Sequence, residues 1–388
     1  MDEGTHANLI EQNGLCLVGS IRLERWSDGV EGRLKLNTPT TEVSVSPDIT
    51  FPDAKFPPPL KLRAEYERRV QIGQRRMSST TAVISGLARD VAGILPLTIA
   101  RIEHMGAMFA DYRVVIYEND SRDETARLLT DWAERNHRVD VTIERRGDPI
   151  NPMTRCLKRA ERMAYYRNQC LESIRARYVD FDHAIIVDTD LSGGWSFDGL
   201  ANTFGHDGWD FVGSNGVIFK RVGLKINVLK QYDAWAYRND ESFTPFTTRQ
   251  VNDMSFTRGE PLVPVTCSFG GLAVYLMPAY LAGQYAGHDV DHVTHQQVAR
   301  PQGFTRTFLN PSQIALYGRH DRTWDPVIFP MLNLCRRLPG LRHWLRNLQP
   351  FERWPDRPTS DEQVRCEHAT RPLPVELGDE TTASRKVA

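Results

Sequence analysis

The sequence lacks several features that would mark common alternatives to a globular intracellular protein. Its six cysteines form no Cys-x-x-Cys pair, which argues against a zinc finger or a disulfide framework and favours free thiols in a reducing compartment. No apolar run reaches the roughly 18 residues of a membrane-spanning helix. The start, MDEGTHANLIEQNG, lacks the basic and apolar regions of a signal peptide. We therefore expect a cytoplasmic protein.

An excess of charge of one sign is also missing. The formal net charge of the 388-residue chain is -1, so the protein as a whole has no attraction to a polyanion, and no nucleic-acid partner is expected. The 40% hydrophobic and 25% charged residues are usual for a globular protein. The length suits two domains or one large α/β domain with extensions.

Changes in composition divide the chain into three regions. Residues 37–60 are rich in Pro, Thr and Ser, and a charged helical pattern follows them, so residues 1–76 are predicted to be an N-terminal extension with a Pro-rich linker. Residues 77–328 are predicted to be the main folded domain; their pattern is regular from about residue 80 and becomes less regular after Asp190. Residues 329–388 begin with a basic, leucine-containing helical segment and end in a tail that we predict to be disordered. The helical segment is predicted to pack on the core or on a neighbour, with peripheral membrane contact as the alternative.

Strand and helix patterns alternate in the middle region. Strand-like apolar runs occupy residues 82–87, 113–120, 139–145 and 183–188, and helical patterns occupy residues 94–109, 123–136 and 155–177. Asp120 or Ser121 is predicted to cap the second of these helices. Serial strand–helix units pair their strands in parallel through right-handed crossovers. The sequence therefore predicts an α/β fold with a mostly parallel sheet, whose ligands bind at the carboxyl ends of the strands.

Two carboxylates directly follow the fourth strand, in the segment AIIVDTDL (184–191). Alternate residues of a strand face the same side, so Asp188 and Asp190 can reach one ion. Carboxylates this close repel each other unless a cation lies between them. Mg²⁺ and Mn²⁺ prefer oxygen ligands and often share them with substrate phosphates. The pattern indicates a divalent-metal site, with surface charge on a loop as the alternative.

Arginines are dense on the helix predicted at residues 155–177. Arg162 and Arg167, five residues apart, could neutralise a diphosphate, because a guanidinium presents a planar fork of donors to phosphate. A solvated helix face is the alternative interpretation.

The series of segments resembles the nucleotide-sugar-dependent glycosyltransferases of the GT-A fold. Residues 80–325 are similar to the fungal capsule-associated α-1,3-mannosyltransferases and, more distantly, to the yeast Golgi mannan-synthesising mannosyltransferases. The matching segments are ISGLARD (84–90), VVIYENDSRDET (114–125), RMAYYRN (162–168), IIVDTDL (185–191), SFGGLAVY (268–275), DVDHVTHQQV (289–298) and FLNPSQIALY (308–317). The resemblance implies a GT-A (Rossmann-like) fold, and transfer of mannose from GDP-mannose to a glycan or glycolipid hydroxyl. It also implies retention at the anomeric carbon and dependence on Mn²⁺ or Mg²⁺.

The resemblance also implies roles for individual residues. The residues implied to contact the nucleotide-sugar donor are Gly86, Arg89, Glu118, Asp120, Arg167, Asp188, Gly270 and Gly271. Gly86 to Asp90 would form the loop after the first strand. Asp291 stands where the family has a glutamate and would orient the acceptor hydroxyl or act as a base; with Asp190 it is the predicted catalytic pair. His320 would join Asp188 and Asp190 as a metal ligand, with His295 as its rival. A structural hydrogen bond is the alternative role for each histidine.

Two other functions stay open. A phosphatase of the haloacid dehalogenase class could use Asp188 and Asp190 as nucleophile and acid. That fold usually carries the pair after its first strand, whereas three strand–helix units precede it here. A non-catalytic carbohydrate-binding protein that keeps the fold is the second alternative.

Overall fold

The computed structural model describes residues 49–151, 156–222, 226–232 and 234–320. The helices are α1 (Leu60–Met77), α2 (Leu95–Gly106), α3 (Thr125–Arg135), α4 (Leu157–Arg177), α5 (Phe197–Phe204), α6 (Thr248–Asp253), α7 (Met277–Ala282) and α8 (Asp291–Ala299). The strands are β1 (Thr81–Ala88), β2 (Asp111–Asn119), β3 (Val139–Glu144), β4 (His183–Asp188), β5 (Gly194–Trp195), β6 (Phe211–Val222), β7 (Ile226–Gln231), β8 (Val263–Pro264), β9 (Leu272–Leu276) and β10 (Thr307–His320). The predicted basic segment and tail at 329–388 lie outside the described residues, as do residues 1–48.

All ten strands belong to one sheet, in the order β3-β2-β1-β4-β9-β6-β10-β5, with β7 beside β6 and β8 beside β10. The strands β1, β2, β3, β4, β6 and β10 run in one direction, whereas β9 is antiparallel to both of its neighbours, β4 and β6. This topology confirms the predicted α/β fold class, a mostly parallel, Rossmann-like sheet flanked by helices.

The sheet is buried on both faces, which explains why its strands read as continuous apolar runs. In β4, Ile185 and Val187 belong to one hydrophobic core, and Ala184 and Ile186 belong to the other. The first core packs the sheet against α1, α2, α3 and α5, and the second packs it against α4, α7 and α8. Among the described helices, none has the length and apolarity to cross a membrane.

Strand β1 extends further than the sequence predicted. It continues through Gly86 to Ala88, and Gly86 is paired with Ile116 on one side and Val187 on the other. A Cβ atom at position 86 would lie 2.8 Å from the carbonyl oxygen of Val187. Gly86 therefore allows the close approach of β1 and β4, and it lies within the strand rather than in the loop where we had expected it.

Helix α1 lies on the N-terminal side of the predicted boundary at residue 76, yet it is packed into the folded body. Tyr66, Val70 and Met77 are buried in the first core. A Cβ atom on Gly73 would lie 1.7 Å from the carbonyl oxygen of Ala201, which shows how closely α1 approaches α5. The division into 1–76, 77–328 and 329–388 stays a prediction.

The contact at Gly73 can be tested by whether Gly73→Ala raises or lowers the free energy of unfolding. In an unpacked helix, Gly→Ala stabilises by up to about 1 kcal/mol. Because a methyl group at position 73 meets backbone atoms of α5, we expect Gly73→Ala to lower the free energy of unfolding by about 1–3 kcal/mol. Gly93→Ala is the control, since a Cβ atom there meets nothing within 4 Å. Urea denaturation measures both, and stabilisation by Gly73→Ala would contradict the packing of α1.

Candidate active site

Strand β4 ends at Asp188, and its end is fixed by the turn before β9. The backbone N–H of Asp188 donates to the carbonyl oxygen of Gly271 at 2.9 Å. Gly270 and Gly271 have φ angles of +64° and +88°, a left-handed conformation that favours glycine. A Cβ atom on Gly270 would also lie 2.4 Å from the carbonyl oxygen of Ser214. The two glycines therefore form a tight turn at the rim of the sheet rather than an interruption within a strand.

Asp188 and Asp190 are held apart by a buried threonine. The hydroxyl of Thr189 donates to the carbonyl oxygen of Leu87 at 2.7 Å, and the carbonyl oxygen of Thr189 accepts from the hydroxyl of Thr98 at 3.0 Å. Asp188 is half-buried and Asp190 is exposed at the rim. Partial desolvation by the surrounding rim raises the pKa of Asp190, against the opposing effects of its own backbone N–H and of nearby arginines. A cation beside Asp190 would relieve this penalty.

The buried side chain of Arg167 joins two carboxylates. Its Nη2 lies 3.1 Å from Oδ1 of Asp188, and its Nε lies 3.2 Å from Oδ2 of Asp291. The side chain of Arg167 is 4% exposed, compared with 22% for Asp188 and 10% for Asp291. Its guanidinium also lies 5.4 Å from the ring centroid of Phe269. Arg167 therefore connects α4 to the end of β4 and to the first residue of α8.

Asp291 is held in its charged form. Burial alone would raise the pKa of Asp291, but the adjacent His292 and Arg167 outweigh burial and lower this pKa. Burial also lowers the pKa of His292 to about 3, so its ring is neutral near pH 7 and Arg167 is the cation that acts on Asp291. The ring of His292 stacks on Phe269 with 3.7 Å between centroids.

An open pocket with a cavity volume of about 100 Å³ lies beside the Arg167 bridge. Its lining residues are Cys156, Arg159, Ala160, Met163, Arg167, Asp188, Tyr232, Trp235, Phe269, Val290 and Asp291. The guanidinium carbon of Arg159 lies 5.3 Å from the ring centroid of Trp235. One wall of the pocket is thus acidic, and another combines a cation with aromatic rings.

The structure separates the two arginines that the sequence analysis paired. Residues five apart on an α-helix differ in direction by about 140°, so Arg162 and Arg167 do not share a face. Arg162 instead donates to Oδ1 of Asn151 at 2.7 Å. Arg159, which sequence reasoning did not select, lies eight residues before Arg167 and shares its face. The helical spacing of the residues at 156, 159, 160, 163 and 167 is the signal that could have found it.

The described residues contain no group of three or more His, Cys, Asp and Glu side chains that could hold a metal ion. Asp188 and Asp190 are thus an oxygen-donor pair, which fits a hard cation that takes one or two carboxylates and completes its shell with phosphates and water. His320 ends β10, but its side chain lies outside the described part. His295 is fully buried and its Nε2 lies 2.9 Å from the carbonyl oxygen of Tyr280, as in a core histidine.

Two residues predicted to contact the nucleotide lie at the ends of β1 and β2. Arg89 follows β1 and donates to the carbonyl oxygens of Asp148 at 2.6 Å and Pro149 at 3.2 Å. Glu118 is completely buried, and its Oε1 accepts the backbone N–H of Ser121 at 2.8 Å. Its Oε2 is buried without a hydrogen-bond partner among the described residues. Glu118 thus keeps an unused acceptor atom at the rim.

Asp120 holds a loop in place. Its carboxylate accepts the backbone N–H groups of Arg146, Gly147 and Asp148 at 2.9, 2.8 and 3.0 Å. The predicted cap at Asp120 or Ser121 is wrong, because α3 begins only at Thr125, with Glu124 as its N-cap residue. The carboxylate of Asp120 is occupied by the loop that follows β3 instead.

Comparisons with known proteins find only remote structural likeness. No protein-family model and no curated protein matches the chain. Among solved structures, it is similar to the mannosyltransferase PcManGT from Pyrobaculum calidifontis in complex with GDP-Man and Mn²⁺, with a TM-score of 0.38 and 12% identity over 66% of each chain. It is also similar to GalNAc-T7 with UDP, GalNAc and Mn²⁺, with a TM-score of 0.39 and 11% identity over 75% of this chain and 54% of that one. For S. aureus TarS the TM-score is 0.33 and the identity 10%, over 61% and 60% of the two chains. The chain thus spans about 54–66% of these proteins' described lengths.

The Arg167 bridge can be tested by removing its shared cation. We expect Arg167→Met to lower the free energy of unfolding by about 3–5 kcal/mol, because two shielded carboxylates lose their partner. Adding Asp291→Asn should recover part of this loss, since it removes one unpaired charge. Arg177→Met is the matched control on α4; its exposed ion pair with Asp140 should contribute no more than about 1 kcal/mol. Equal losses for Arg167→Met and Arg177→Met in urea denaturation would contradict the bridge.

The Asp120 anchor predicts a dependence on pH. Its environment lowers the pKa of Asp120 from 3.8 to about 2: the hydrogen bonds from Asn119 and from the loop outweigh partial desolvation, which alone would raise it. A lowered folded-state pKa means that the ionised carboxylate stabilises the fold above about pH 4 and that this stabilisation is lost as the pH falls towards about 2. The stability difference between wild type and Asp120→Asn should therefore be largest above about pH 4 and shrink below it. Urea denaturation at several pH values measures this difference; a constant difference would count against the anchor.

Proposed function

We propose that this protein is a metal-dependent glycosyltransferase that moves a sugar from a nucleotide-diphosphate donor to a hydroxyl of a glycan or glycolipid. Mannose from GDP-mannose, transferred with retention, is the specific form of the proposal. The observation that carries it is the position of Asp188 and Asp190, at the rim of the sheet beside a pocket with acidic, cationic and aromatic walls. We also expect a cytoplasmic location, with possible contact to a membrane surface through residues 329–388.

The carboxylate pair supports the metal requirement. Asp188 and Asp190 would hold Mn²⁺ or Mg²⁺, with His320 as the proposed further ligand. When bound, the ion would offset the negative charge that develops on the leaving diphosphate. Without a cation the two carboxylates would repel the donor. Desolvation raises the pKa of Asp190, and a bound cation would oppose this effect.

Asp291 has two expected roles, and its ion pair with Arg167 favours one of them. A general base works best with a pKa near the operating pH, whereas the pKa of Asp291 is lowered. The carboxylate of Asp291 lines the pocket and is fixed in direction by Nε of Arg167. We therefore assign Asp291 to orienting the acceptor hydroxyl through a hydrogen bond rather than to removing its proton.

The nucleotide would lie along the ends of β1 and β2. Glu118 would accept a hydrogen bond from a ribose hydroxyl or from the base through Oε2, which lacks another partner among the described residues. Arg89 and Asp120 would act by fixing the loop at residues 146–149, to which both are bonded. The turn at Gly270 and Gly271 would let the backbone approach the donor closely, and Gly86 would hold β1 against β4.

The test is donor hydrolysis by the purified protein across a panel of nucleotide sugars, with Mn²⁺ and with a chelator. We expect metal-dependent release of GDP from GDP-mannose, and a loss of about 100-fold or more for Asp190→Asn, since the metal supplies several kcal/mol. GDP should raise the melting temperature only when Mn²⁺ is present. Asp180→Asn is the matched control, because Asp180 is exposed and precedes β4 at the opposite end of the strand.

The same assays separate the other functions. Release of phosphate from simple phosphomonoesters would favour the phosphatase. Sugar binding that survives Asp190→Asn, without hydrolysis of any donor, would favour a carbohydrate-binding protein. A melting temperature unchanged by every nucleotide and metal combination would contradict the proposed transferase.

A further inference from the structure

The two arginines of the pocket differ in their partners. The charge of Arg167 is shared between Asp188 and Asp291, so this group of three carries a net negative charge. Arg159 has no hydrogen-bond or ion-pair partner among the described residues, and its Nε is buried without an acceptor. Arg159 lines the same pocket as Asp188 and Asp291. Arg159 therefore has donors that no described residue uses.

The first turn of α4 adds a second feature that attracts an anion. Cys156, the N-cap residue, makes no side-chain capping bond, and the first helical bond runs from the N–H of Ala160 to the carbonyl oxygen of Cys156. The backbone N–H groups of residues 157–159 come before this first bond, so they have no partner within the helix. The helix has 21 residues, and its dipole places partial positive charge at this end. Cys156, Arg159 and Ala160 all line the pocket.

We propose that Arg159 and the first turn of α4 bind the diphosphate of the donor, and that Arg167 positions Asp188 and Asp291 without contacting phosphate. This inference rests on the proposed function and specifies its donor site. The planar guanidinium of Arg159 presents two N–H groups to adjacent phosphate oxygens, and Trp235 lies against it. The metal ion held by the carboxylates and the guanidinium of Arg159 would thus both contact the diphosphate.

The experiment is isothermal titration of the full chain with inorganic pyrophosphate, GDP, UDP and guanosine, in the presence of Mg²⁺. We expect Arg159→Met to weaken pyrophosphate and nucleoside diphosphate binding by about tenfold or more, as for loss of a charged hydrogen bond. Guanosine binding should be unchanged by this variant. Arg177→Met removes a charge of the same type from the exposed, opposite end of α4, outside the proposed site, and should change binding by less than about twofold.

The outcomes separate the two proposals. If the wild type binds GDP, UDP or pyrophosphate and Arg159→Met binds as tightly as Arg177→Met, the role of Arg159 is overturned while the proposed function stands. If the wild type binds none of the three, the proposed function itself fails. Arg159→Gln provides a second neutral side chain, so that a folding defect of Arg159→Met leaves the comparison intact. Equal losses for guanosine and pyrophosphate would also overturn the assignment, because they would indicate general damage to the pocket.

Discussion

A single buried guanidinium, that of Arg167, determines the shape of the candidate site. It bonds to the last residue of β4 and to the first residue of α8, so three separate segments of the chain meet at one charge. Such an arrangement is costly to desolvate and is retained only when every partner is well placed. The stack of Phe269 and His292 beside it restricts the guanidinium further. The acidic wall of the pocket is therefore fixed before any ligand binds.

The surrounding elements support this constraint through backbone geometry. The turn at Gly270 and Gly271 receives the N–H of Asp188, and Thr189 anchors the chain between the two carboxylates. Gly86 brings β1 close to β4 at the same edge of the sheet. Each of these positions depends on a small side chain or a specific hydroxyl, so the rim is defined by close backbone approach as much as by its charged groups.

The sequence predicted the part of the fold that depends on local pattern. The strand before Asp188 and its partners in the first half of the sheet follow from apolar runs that alternate with helices, and burial on both faces explains those runs. The pairing of Arg167 with Asp291 could not be read in this way, because the residues are 124 positions apart. Arg162 does not join Arg167 in the pocket, because five residues correspond to about 140° around α4, whereas Arg159 lies on the pocket face. Sequence context also made His295 a candidate metal ligand, whereas the structure shows it fully buried in the core.

The antiparallel direction of β9 limits how the candidate site can change during evolution. Leu272, the first residue of β9, pairs with Val187 near the last residue of β4, so the segment leading into β9 arrives at the same edge as the carboxylates. That segment is buried, and its turn at Gly270 and Gly271 accepts the N–H of Asp188, so a change in its length would shift the end of β4. The two halves of the cleft are therefore constrained together by the geometry of the sheet.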